Sequence, residues 1–130
     1  MTGEQLLKRA AALISETDTE DYKEIALIQI NILLDETWKQ NNRMRKAAGK
    51  EETGRADLES LGAEIPWEEE LVRNALPWGL AAKLFFEEDD NARLSMFNEE
   101  FANRLNACDK GLVVLEGKTA RNTERYPVGW

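Results

Sequence analysis

The stretch Leu76–Leu105, LPWGLAAKLFFEEDDNARLSMFNEEFANRL, constrains this chain more than any other. It reads as two helical segments with apolar faces, joined by an acidic break at Glu87, Glu88, Asp89, Asp90 and Asn91. The first carries Trp78, Leu80, Ala81, Leu84 and Phe85 and is expected to run to about Glu87. The second carries Leu94, Phe97, Phe101, Ala102 and Leu105, whose spacings of three and four place them on one helical stripe. Pro77 disfavours helix at Leu76, so a kink or restart is expected there. Asp89, Asp90 or Asn91 is suited to capping the second helix, and Gly111 to ending it.

Upstream, Thr2 and Gln5 have capping-box spacing ahead of a helix over Gly3–Ile14, with Leu6, Leu7, Ala10, Leu13 and Ile14 on one side. The polar break Ser15–Glu20 follows, and either Thr17 with Glu20 or Thr19 is expected to cap the next helix. That helix is read as one long element over Asp21–Arg45, on the order of 35–40 Å at the α-helical rise. Ile25, Ala26, Leu27, Ile28, Ile30, Ile32, Leu33 and Leu34 make it apolar nearly all round, which predicts a central helix covered on several sides. Beyond Trp38 the sequence KQNNRMRK predicts an end projecting past the core.

Residues 47–64 are rich in glycine and charge and read as a flexible loop, with a short turn at Asp57–Leu61. Pro66 ahead of Glu68, Glu69 and Glu70 marks another helix start, where carboxylates complement the helix dipole. The expectation is an all-α fold: a small bundle of about four to five helices over residues 1–111, with a long central helix and a C-terminal helical hairpin. Residues 112–130, opening on the short apolar run Leu112–Leu115, form an extended C-terminal arm.

Chemistry is hard to build from this composition. The 130 residues contain no histidine, which removes Ser-His and Cys-His activation and the commonest zinc ligand. The single cysteine, Cys108, has no intrachain partner and belongs to no CxxC pair. Contiguous carboxylates at Glu68–Glu70 and Glu87–Asp90 point around a helix or turn rather than converging on one ion. No catalytic residue, metal or cofactor is expected. No run of 18 apolar residues exists, so no membrane span is expected, and MTGEQLLKRAAALISE has neither the basic start nor the cleavage site of a secretory signal.

Net charge is −8, and Lys118, Arg121 and Arg125 against Glu116 and Glu124 leave residues 111–130 at +1, so the preceding residues carry −9. A body this acidic does not release counterions from a duplex, which disfavours a DNA reader. Trp67 and Trp78 read as core residues, whereas Trp130, in a polar tail, reads as a candidate for a partner surface.

The hairpin segment resembles that of the head–tail connector (adaptor) proteins of tailed bacteriophages. Leu76, Pro77, Gly79, Leu80 and Ala81 match an LPxGLA-type start; Glu88, Asp89, Asp90 and Asn91 match its acidic turn; Phe97 and Phe101 match its aromatic positions. Phe101 stands where the family often has tyrosine. The match is specific over Leu76–Leu105 and architectural elsewhere. The resemblance implies a structural virion protein of the neck that forms a homo-oligomeric ring, typically a dodecamer, beneath the portal protein. Such a ring extends the DNA channel, lets DNA pass without specific binding, and links the head to the tail or to the next neck (stopper) protein. It further implies that the arm reaches the portal, with Arg121, Arg125, Tyr126 and Trp130 as candidate contacts, and that the 47–64 loop faces the channel or tail. The competing reading is a small acidic helical regulator that binds a host or phage protein.

Overall fold

The computed structural model describes residues 1–85 and 90–109, together with the backbone of two short strands at 113–115 and 118–120. Six α-helices build it: α1 (Gly3–Leu13), α2 (Lys23–Glu36), α3 (Trp38–Ala47), α4 (Glu69–Asn74), α5 (Leu76–Leu84) and α6 (Asn91–Asp109). Strands β1 (Val113–Leu115) and β2 (Lys118–Ala120) form an antiparallel ribbon with Val113 opposite Ala120. The fold is an all-α bundle.

Helix α1 starts as its sequence dictates. The Gln5 N–H donates to the Thr2 hydroxyl at 3.2 Å and the Thr2 N–H donates to the Gln5 side chain at 2.9 Å, so two otherwise orphaned donors are satisfied. Its end is less ordinary. The Glu16 N–H reaches the Ala11 carbonyl at 2.8 Å and the Ser15 N–H reaches Ala12 at 3.1 Å, a Schellman closure. Ser15 therefore takes φ +64°, where glycine usually stands. Neither Thr17 nor Thr19 supplies the expected cap for the next element. Asp18 accepts the Glu20 N–H at 3.0 Å, and a 3-10 turn over Glu20–Tyr22 leads into α2.

The long helix expected over Asp21–Arg45 is divided at Thr37. The Thr37 hydroxyl donates to the Leu33 carbonyl at 2.8 Å, a back-bond of the kind that bends helices. Backbone bonding nevertheless carries through, from the Thr37 N–H to Leu33 and from the Asn41 N–H to Thr37. The polar end does not project either: Asn41 and Asn42 are buried, and α3 packs against α6.

The central position belongs to α5 rather than α2. Helix α5 touches α1, α2, α4 and α6 and buries Leu76, Pro77, Gly79, Leu80, Ala81 and Leu84. Small residues at positions 75, 79 and 81 let four neighbours approach one short helix. Helix α2 is covered on one side only. Ala26, Ile30, Leu33 and Leu34 enter the core, while Ile28 and Ile32 remain 57% and 43% exposed. Helix α4 ends at Asn74 and α5 begins at Leu76, the restart expected at Pro77; α5 stops at Leu84, short of Glu87, because Phe85 turns extended.

Residues 48–68 form no helix until α4, and side chains of α2 and α3 hydrogen-bond the backbone of this strap. Asn31 and Asn42 each hold one residue of this strap through two hydrogen bonds. Asn31 donates to the Leu58 carbonyl at 3.2 Å and accepts the Leu58 N–H at 2.7 Å. Asn42 does the same with Thr53, at 3.1 and 2.9 Å. Leu58, Ile65 and Trp67 are buried beneath it, and the Gly3 and Glu4 N–H groups bond the Ala63 and Leu61 carbonyls. A turn closes with the Ala63 N–H on the Ser60 carbonyl, close to the one expected at Asp57–Leu61.

Candidate interaction surfaces

The hairpin is built around one close approach. On α5, Gly79 faces both Phe101 of α6 and Leu33 of α2, so a β-carbon there would stand 2.8 Å from Phe101 Cε1 and 2.9 Å from Leu33 Cδ1. Real β-carbons do not tolerate such contacts, so the glycine of LPWGLA is a packing requirement. Phe97, fully buried, tilts against Trp78 with ring centroids 6.2 Å apart and meets Phe85 edge-on at 5.6 Å. Two arginines of α6 cover the flanks of this cluster: Arg93 lies over Phe85 at 5.1 Å, and Arg104 over Trp78 at 4.9 Å.

Asp90 caps α6 by accepting the Arg93 N–H at 3.0 Å. Leu76, Pro77, Gly79, Leu80, Ala81 and Phe97 are buried, and Gly79 and Phe101 bring α5 and α6 together. Ala102 departs from the expected stripe and is exposed. The helix instead turns Arg104, Leu105, Ala107 and Cys108 inward. Asp89, Gly111, Arg121, Arg125, Tyr126 and Trp130 lie outside the described residues.

A second cluster, unannounced by any motif, ties α3 to the start of α4. The Trp67 indole N–H donates to the Thr37 hydroxyl at 3.1 Å, and the Glu68 N–H donates to Asn41 Oδ1 at 2.7 Å. Asn41 Nδ2 has no partner among the described residues. The Glu68 carboxylate takes Lys50 at 2.9 Å and Arg45 at 3.1 Å. Hydrogen bonding from Lys50, reinforced by Arg45, holds that carboxyl below the usual carboxylate range. Glu69 and Glu70 turn to Arg73 and Asn74 respectively, so the three contiguous acids do point apart around the helix start. Cys108 is buried, with Sγ 3.8 Å from the Glu70 carbonyl, and burial pushes its thiol up to about 11.

A third feature is an open groove of about 520 Å³ between α2 and the strap. Ile28, Asn31, Ile32 and Asp35 of α2 line it with Arg55, Ala56 and Asp57 of the strap. Arg55 is paired with Asp35 and stacked 4.5 Å over Trp38.

Among the described residues, no group of three or more His, Cys, Asp or Glu is placed to hold a metal ion, and no helix is long and apolar enough to cross a membrane. Comparison with protein-family models, with curated proteins and with solved structures finds no match for this chain.

Proposed function

We propose that this chain is a structural subunit of the phage neck, a head–tail connector that assembles as a ring beneath the portal. In that role it extends the DNA channel, and its partners are copies of itself, the portal protein, and the tail or next neck protein. It performs no reaction.

The observation that carries the reading is the Gly79–Phe101 contact. Two of the residues that make the sequence resemble a connector hairpin, Gly79 and Phe101, meet between α5 and α6, glycine against aromatic. A chance match in an apolar helical segment carries no requirement that its glycine meet its own aromatic. The acidic body adds support, since a channel wall with excess carboxylates offers DNA no counterion-release gain. So do Ile28, Ile32 and Met96, large apolar side chains left on the outside of a small bundle that a ring would cover.

The test is assembly. The purified full chain is mixed with the portal ring encoded in the same genome, and the product is sized and imaged by negative stain. The expected result is a second ring stacked on the portal. A chain that stays monomeric beside intact portal rings would overturn the proposal. In the same assay, deletion of residues 112–130 should leave the body folded and abolish docking.

A further inference from the structure

The charges along the uncovered side of α2 are arranged so that two copies of this side fit one another. Ile28 and Ile32 sit in its middle, exposed on a helix whose opposite side enters the core. Asp21, Ile28, Ile32 and Lys39 are spaced seven, four and seven along the chain, the spacing of a single helical stripe. Backbone bonding carries the helix through the bend, from the Thr37 N–H to Leu33 and from the Asn41 N–H to Thr37. The neighbours of Lys39 fix its place. Asn42 is bonded to Thr53 of the strap, while Gln40 bonds the Leu105 carbonyl and Arg43 pairs with Asp109 of α6. Lys39 stands exposed between these two attachments.

The two ends of the stripe are opposite in charge. Asp21, in the turn that leads into α2, and Glu24 are exposed and make no ion pair among the described residues; Lys23 between them is taken by Glu4 and Glu20. Lys39 at the far end makes no ion pair among them either. Asp35, which lies between the ends, is neutralised by Arg55. An apolar centre with free acids at one end and a free base at the other is complementary to itself turned end for end.

We propose that the free protein forms a two-fold dimer in which the α2 helices of two copies pack antiparallel along this stripe. About an axis level with position 30, Ile28 of each copy meets Ile32 of the other. Asp21 of each then meets Lys39 of the other, because positions 21 and 39 stand equally far from position 30, on the order of 14 Å at the helical rise. Parallel packing would set Asp21 against Asp21 and Lys39 against Lys39, so charge selects the antiparallel arrangement. A contact of one helix from each copy falls at the small end of specific interfaces, so the pair is reversible, populated at on the order of 100 µM chain and dispersed by dilution. The dimer does not rest on the connector reading. A two-fold pair uses the same face twice, whereas a ring needs two different faces. Where both hold, the pair opens before Ile28 and Ile32 can be covered in a ring.

The experiment is sedimentation of the full chain without any portal. The mass should rise from 14.8 kDa toward twice that value between about 1 µM and 1 mM chain, and stop there. Ile28→Asp and Ile32→Asp, both at exposed positions, should keep the native circular dichroism and remain monomeric. Lys39→Glu and Asp21→Lys each place like charges at both ends of the pair and should each weaken it about tenfold. An equimolar mixture of those two variants restores opposite charges at both ends and should dimerise as the native chain does. A native chain that stays monomeric throughout would overturn the proposal, as would growth past the dimer. So would a dimer that survives Ile32→Asp, or a mixture no stronger than its components, since either result would put the contact on another face.

Discussion

Phe101 lies so close to Gly79 that its ring edge occupies the space a β-carbon would need, at 2.8 Å. Leu33 closes the same space from α2 at 2.9 Å, so α2, α5 and α6 meet at one glycine. Gly79→Ala should therefore destabilise the fold, although alanine is the better helix former by about 1 kcal/mol. Overpacking a filled core costs about 1–3 kcal/mol, and here two neighbours must move. We expect a net loss of about 1–2 kcal/mol in urea unfolding. Phe101→Leu in the Gly79→Ala background should recover part of it, a coupling that two independent sites would not show. An unchanged midpoint for Gly79→Ala would mean that the seam is looser than described.

Thr37 occupies the bend between α2 and α3 and uses its hydroxyl twice, donating to Leu33 and accepting from the Trp67 indole. Thr37→Val keeps the shape and removes both bonds. The indole N–H is then buried without a partner, which costs about 1–3 kcal/mol. Trp67→Phe should cost less in the valine background than in the native one, because the orphaned donor is gone. Chemical denaturation of the four proteins gives the coupling directly; additive losses would refute the shared hydroxyl.

These two sites differ in how far they could be read from sequence. The capping box at Thr2 and Gln5 and the restart at Pro77 are local, each settled within three or four residues, and both were legible; the α6 cap was narrowed to Asp89, Asp90 or Asn91, of which Asp90 accepts the Arg93 N–H. The α5–α6 hairpin was legible because Leu94, Phe97, Phe101 and Leu105 recur at helical spacing. The bend at Thr37 was not, since the residue that fixes it, Trp67, is 30 positions away. The anchoring of the strap was out of reach for the same reason. Its composition suggests mobility, but Asn31 and Asn42 reach 27 and 11 residues along the chain to hold it. The run of isoleucines in α2 also misled. Periodicity cannot say which side of an all-apolar helix stays uncovered, and that side became the groove.

Ser15 offers a simpler gain. It holds φ +64° to close α1, with no glycine to relieve it. The left-handed region costs an L-residue about 1–2 kcal/mol, while glycine adds about 0.4–1 kcal/mol of unfolded-state freedom. Ser15→Gly should therefore stabilise by about 0.5–1 kcal/mol, which for a domain of this size raises Tm by about 2–5 °C. Ser15→Val should move Tm down, since a β-branched residue suits that conformation least. A calorimetric comparison of the three proteins checks the order Gly above Ser above Val.

Glu68 sets the acid limit of the α3–α4 junction. Its carboxyl is held below the ordinary 4.5 by hydrogen bonding from Lys50, with Arg45 adding to it. A group whose folded pKa lies below its unfolded value stabilises the fold above the unfolded value, and that contribution disappears as pH falls through the folded one. The ion pairs should thus contribute fully at pH 7, begin to fade below about 4.5, and be absent once Glu68 is protonated in both states. Glu68→Gln removes the charge at every pH. Its deficit against the native chain in urea midpoint should be clear at pH 7 and shrink as pH falls below 4.5 and the native carboxyl takes up its proton. Lys50→Met should narrow the same window from its lower edge, because the folded carboxyl loses its largest source of depression and titrates nearer 4.5. A deficit for Glu68→Gln that stays constant across this range would mean that the carboxylate's charge contributes nothing and that only the Asn41 contact to its backbone holds the junction.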